Sequence, residues 1–212
     1  MSTFGLTRRQ FLVRAGSVAL GATWSAGIPV KRVSANEKIV LGFIGVGGMG
    51  RSHFDRLLNR PEVHIVAGCD PDGQRRQAAK DKAAEHGVTI DVYNDFREML
   101  ERRDIDAVMI STPDHWHAVT SIASMERGKD VYCEKPLTLT IAEGRKMVET
   151  ARRFGRVCQM GTQQRSDQKQ FRHACELVRN GRIGEVNRVV CFFGPNPYQA
   201  WVPDEDPPPY LD

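Results

Sequence analysis

KIVLGFIGVGGMG, residues Lys38 to Gly50, is an apolar run that empties into a cluster of glycines. Its second half reads Gly45-x-Gly47-x-x-Gly50, the spacing of a strand, a tight turn and a helix start that together seat a dinucleotide pyrophosphate on the helix N-terminus. A glycine-rich turn without a ligand has the same spacing, so the context decides. A strand-like run precedes the glycines, an amphipathic stretch follows them, and Asp70 closes the next apolar run, 20 residues beyond Gly50. Gly45, Gly47, Gly48, Met49 and Gly50 are therefore candidate cofactor-binding residues. Asp70 joins them, because a carboxylate at a strand's carboxyl end accepts hydrogen bonds from the adenosine ribose and repels a 2′-phosphate.

Outward from this stretch the chain alternates. Phe54, Leu57 and Leu58 recur at helical spacing before Pro61, and Val63 to Cys69 reads as the second strand. A polar helix over residues 74–86 follows, then a strand from Thr89 to Tyr93, a helix marked by Phe96, Met99 and Leu100, and strands at Asp106 to Ile110 and Asp130 to Cys133. An amphipathic helix over Ile141 to Phe154 and a strand from Val157 to Met160 complete the pattern. Such alternation predicts an α/β fold, a doubly wound parallel Rossmann sheet whose ligands bind at the carboxyl ends of the strands. Arg75 and Arg76 stand just beyond Asp70 and could accommodate a phosphate, so NAD is the expected cofactor with NADP as the alternative.

The fourth strand runs into Ser111-Thr112-Pro113-Asp114-His115-Trp116-His117. Thr112 reads as an N-cap with Pro113 at the first helical position. His115 and His117, two apart on a helix, point to different sides, and no shared metal is expected. His117 is the one expected to approach a ligand. The fifth strand leads directly into Glu134-Lys135-Pro136. A lysine there could hold a substrate hydroxyl and lower its pKa during hydride removal; an exposed Glu and Lys is the other reading.

Together the GxGxxG, the Thr-Pro-Asp-His-Trp-His loop and Glu134-Lys135-Pro136 resemble the Gfo/Idh/MocA oxidoreductases, a family that includes glucose-fructose oxidoreductase and inositol dehydrogenase. The resemblance covers Lys38 to about Phe193. It implies NAD(P)-dependent hydride transfer from a sugar or polyol carbon, with Lys135 contacting substrate and Pro113 and Glu134 beside the nicotinamide ribose. It also takes in proteins that use transient oxidation to cleave glycosides. A cis Lys135–Pro136 bond is a further expectation.

Before residue 36 the character changes. Thr7-Arg8-Arg9-Gln10-Phe11-Leu12 opens a weakly apolar stretch that closes with Val33-Ser34-Ala35, and this resembles a twin-arginine signal peptide cut after Ala35. Export of the folded protein by the twin-arginine machinery to the periplasm follows as the expectation. This segment holds five basic residues and no acid, and the rest of the chain carries 25 basic against 26 acidic residues, so the net charge of +4 gives no argument for a nucleic-acid partner. The five cysteines form no CxxC pair; those at 69, 133 and 158 sit in apolar runs and read as small buried hydrophobes.

After the dinucleotide-binding domain (36–160), residues 161–212 read as the first elements of an incomplete α+β second domain. A helix over Gln168 to Asn180 is expected to turn Phe171, Ala174, Cys175, Leu177 and Val178 inward, with Gly181 at its C-cap, and Glu185 to Phe193 alternates as a strand. Arg165 has two readings, a cleft residue or a surface one. A Pro-rich acidic tail follows. The resemblance places a general-base Asp and His pair and the subunit interface in a second domain that this sequence does not carry, so homo-oligomers are expected only where that domain is present. A truncated protein that binds dinucleotide without turnover is the competing expectation.

Overall fold

The computed structural model describes residues 38–166, 171–192, 194 and 206–211. The expected signal segment at 1–35 and most of the Pro-rich tail lie outside these residues.

Six strands form one fully parallel sheet in the order β3-β2-β1-β4-β5-β6, with β1 Ile39–Ile44, β2 Val63–Cys69, β3 Asp91–Tyr93, β4 Ala107–Ile110, β5 Asp130–Cys133 and β6 Cys158–Met160. Helices α1 Gly48–Leu58, α2 Gly73–Glu85, α3 Phe96–Leu100, α4 His117–Glu126 and α5 Ile141–Phe154 supply the crossovers. The doubly wound arrangement read from the sequence is the one observed. The order of strand addition reverses between β1 and β4, and this switch point opens a crevice at the strands' carboxyl ends.

Strand periodicity sorts the core into two layers. Leu41, Phe43 and Ile65 pack with Phe54 of α1 and Ala79 and Ala83 of α2 on one face. Ile44, Val66, Val108, Ile110 and Val131 face the other way, against Met99, Leu100, Met125 and Met147. The helix ends follow local chemistry. Asp72 accepts the Gln74 and Arg75 N–H groups at the start of α2, Thr140 and Glu143 form a reciprocal capping box on α5, and Gly155 ends that helix at φ 61°. Cys69 and Cys133 are buried, which pushes both thiols up to about 12, with Asp70 adding to the shift at Cys69.

Beyond β6 the structure departs from expectation. Short helices α6 Gln163–Ser166 and α7 His173–Arg179 follow. Gly181 takes a left-handed φ of 68° after α7, but Phe171, Leu177 and Val178 are exposed, so the expected inner face is not buried. Residues 185–192 form no strand; Val189, Val190 and Phe192 stand 78–88% exposed. Alternation alone does not make a strand, because backbone donors and acceptors need a partner edge.

Candidate cofactor and active site

The turn after β1 gives each glycine a separate task. Gly45 adopts φ 85°, a conformation other residues rarely take, and its N–H bonds the Cys69 carbonyl at 2.8 Å. At Gly50 an added Cβ would collide with the Gly45 carbonyl, so the helix start can sit this close only without a side chain. Gly47, the N-cap of α1, faces outward, and its added Cβ would meet only the Arg75 side chain at 2.9 Å. Gly48 and Met49 lie beside it on the cleft.

The crevice has a volume of about 760 Å³, within the range that accommodates cofactors. At one end of it stands Asp70, which is 4% exposed. One carboxylate oxygen accepts the Val46 N–H at 3.1 Å and the other the Asp72 N–H at 3.0 Å. The two arginines beyond it separate in role. Arg76 donates to the Asp70 and Pro71 carbonyls and to Asn94 Oδ1, which fixes the loop. Arg75 stays on the surface, 3.3 Å from Asp72 Oδ2 and 4.0 Å from Asp70 Oδ1, and lies over Gly47.

At the other end, the loop after β4 and the segment after β5 meet. Pro113 has extended backbone, φ −58° and ψ 150°, and the helical turn starts only at Asp114, as a 3₁₀ turn over Asp114–Trp116. Thr112 therefore does not cap the helix, contrary to the sequence reading. Its Oγ1, like Ser111 Oγ, is buried with no hydrogen-bond partner, and both residues line the cleft. His115 is exposed while His117 is 1% exposed. His117 lines the cleft, yet its ring nitrogens face the Pro136 carbonyl at 2.6 Å and the Thr112 carbonyl at 2.9 Å. The single N–H of a neutral ring donates to one of these carbonyls, and both nitrogens are faced by backbone carbonyls rather than open to a ligand.

The Lys135–Pro136 bond is cis. Lys135 is exposed and lines the cleft, whereas Glu134 is buried beneath it. Burial pushes the Glu134 carboxyl up, but hydrogen bonds from His53, the Lys135 N–H and Gln163 outweigh it and hold the group below the usual carboxylate range. Of these, His53 and Gln163 escaped the sequence reading. His53 follows Gly50 by three positions on the buried face of α1, and that helical spacing was the available signal. Arg165 is exposed and is not among the cleft-lining residues.

These features fit a dinucleotide. The side-chain-free surface at Gly47, with the flexible Arg75 guanidinium over it, suits a pyrophosphate, Asp70 suits the adenosine ribose, and the orphaned Ser111 and Thr112 hydroxyls suit the polar groups that cross the switch point. Residues 39–162 match the family described as "Oxidoreductase family, NAD-binding Rossmann fold". The chain belongs to this Gfo/Idh/MocA family. It is 37% identical over 206 residues to glycosyl hydrolase family 109 protein 1 of Shewanella sp. (strain MR-4), a match covering 84% of this chain and 44% of that protein. Inositol 2-dehydrogenase of Salmonella paratyphi B is 34% identical over 146 residues, covering 68% of this chain and 42% of the relative. Among solved structures, myo-inositol dehydrogenase from Lactobacillus casei in complex with NAD(H) and myo-inositol superposes with a TM-score of 0.60 at 32% identity, covering 69% of this chain and 43% of that one. The chain thus spans less than half the length of these relatives.

Proposed function

We propose that this chain supplies the NAD site and the substrate-contacting lysine of an oxidoreductase that removes a hydride from a hydroxyl-bearing carbon of a sugar or polyol. The observation that carries the reading is that Pro113, Glu134 and Lys135, at the carboxyl ends of β4 and β5, line the same cleft as Gly45, Gly47 and Gly48. Bound nicotinamide supplies the hydride acceptor. The exposed Lys135 ammonium holds the substrate hydroxyl and stabilises the negative charge that develops on its oxygen. Glu134 anchors the segment beneath. Removal of the hydroxyl proton falls to the second-domain base that the family resemblance implies.

A second reading has support from the 37% identity to the glycosyl hydrolase relative over 84% of the chain. In it the same hydride transfer is transient and ends in cleavage of a glycosidic bond. We also propose that residues 1–35 direct twin-arginine export to the periplasm; the support is the Arg8-Arg9-Gln10-Phe11-Leu12 pattern alone.

The test is Lys135→Ala in the full-length protein, assayed with NAD against polyols and aryl glycosides. Turnover should fall by orders of magnitude while NAD affinity is kept, and an unchanged rate would remove the lysine's role. Net NADH formation identifies the dehydrogenase, and aryl release without NADH accumulation identifies the glycosidase.

A further inference from the structure

A polar chain runs from exposed Arg56 through buried His53 to buried Glu134, and the cofactor reading gives its first two members no task. Arg56 Nη2 faces His53 Nδ1, and His53 Nε2 faces Glu134 Oε1, each at 2.5 Å. A guanidinium can only donate. Nδ1 must then be the acceptor, the ring proton sits on Nε2, and the imidazole donates to the carboxylate. His53 and Glu134 are each 4% exposed, and the Tyr132 ring closes the pocket edge-on to His53 at 5.8 Å. The Lys135 N–H reaches Glu134 Oε2 at 3.2 Å, and Gln163 Nε2 approaches the two carboxylate oxygens at 3.3 and 3.5 Å.

Two of these contacts come from the neighbourhood of β5 and β6. The third, from His53, comes from the helix whose N-terminus receives the pyrophosphate, 81 residues earlier in the chain. The adenosine carboxylate, Asp70, stands at the end of β2 on the opposite side of β1 and takes no part in the chain.

We propose that His53, with its tautomer fixed by Arg56, is a positioning residue for the nicotinamide end of the site: it locks the Glu134 carboxylate, and through it the Lys135 backbone, in register with the pyrophosphate helix. The inference rests on the proposed function only in assigning Glu134 and Lys135 to the nicotinamide end. Relaxing this lock costs contacts to the nicotinamide half of the cofactor and leaves the adenosine half alone.

Two measurements on the full chain test it. Nitrogen-15 spectra of histidine-labelled wild type should show His53 protonated on Nε2 with a bare Nδ1, the signal being assigned by its loss in His53→Gln. Protonation on Nδ1, or on both nitrogens, would overturn the relay. In titrations with NADH and with ADP, His53→Leu should weaken NADH about tenfold and ADP by less than about twofold, the loss of one hydrogen bond to a charged group. His53→Gln should restore NADH binding, because its amide offers one acceptor to Arg56 and one donor to Glu134. Equal losses for both ligands, no loss for NADH, or failure of Gln to rescue would reduce His53 to a packing residue. Should His53→Leu fail to fold, the wild-type tautomer and the Gln variant still decide. Absence of polyol oxidation by wild type would count against the proposed function and leave these binding readouts intact.

Discussion

The Asp70 carboxylate accepts the Val46 backbone N–H at 3.1 Å, so the residue that ends β2 also holds the glycine turn that follows β1. The group expected to bind ribose thereby has a structural duty. Asp70→Ala leaves that buried N–H unpaired and should cost about 1–3 kcal/mol of stability. It should weaken NADH binding as well. Urea unfolding with a parallel fluorescence titration checks both, and a variant with wild-type stability would show that the hydrogen bond contributes nothing to the fold.

The glycines of the turn should separate by experiment. Gly50→Ala drives a methyl into the Gly45 carbonyl and should destabilise the domain by about 3 kcal/mol. Gly48→Ala meets open space at φ 42° and should cost only about 1 kcal/mol of backbone strain. Gly47→Val displaces a flexible arginine side chain, so it should leave the melting temperature nearly unchanged yet abolish NADH binding, because its side chain occupies the pyrophosphate's approach. A melting temperature that fell equally in all three variants would refute this division.

Much of this was legible in the sequence because it is local. A strand, a turn and a helix start within thirteen residues declare themselves by period and by glycine spacing, and Asp70 follows from where the next strand ends. The His53–Glu134 pair was not legible, since several parallel crossovers bring those side chains together and no periodicity encodes a partner 81 residues away. The Thr112 cap failed for a different reason: the extended Pro113 delays the helical turn by a residue and moves it out of the hydroxyl's reach. At residues 185–192 the alternation was present, but no neighbouring edge among the described residues receives it.

Acid should act on the site through Glu134. Its folded-state carboxyl lies below the ordinary value of 4.5, despite burial, because three donors hold the ionised form. The sign follows from linkage: the unfolded chain binds this proton first as pH falls, so the stabilisation is complete above 4.5 and is lost as pH drops through the lower folded value. Glu134→Gln should remove that dependence. The stability difference between wild type and variant should be largest near neutrality and shrink below pH 4.5, as read from urea midpoints across pH; a difference that grew on acidification would reverse the assignment.

Discrimination between cofactors should rest on Arg75. Arg76 is tied to the Asp70 and Pro71 carbonyls and to Asn94, so moving it toward a 2′-phosphate would dismantle the loop. Arg75 has a 57% exposed side chain whose ion pairs, 3.3 Å to Asp72 and 4.0 Å to Asp70, are long enough for the guanidinium to swing. Asp70 should repel a 2′-phosphate at the same place, so NADP binding should depend chiefly on this cation. Arg75→Ala should therefore lower NADPH affinity about tenfold, as expected for loss of a charge-assisted contact, and change NADH affinity by less than about threefold. Arg76→Ala should instead lower the affinity for both cofactors together, by loosening the loop that carries Asp70. Titrating the two reduced cofactors against both variants separates these outcomes, and a parallel loss for Arg75→Ala would return that residue to a general electrostatic role.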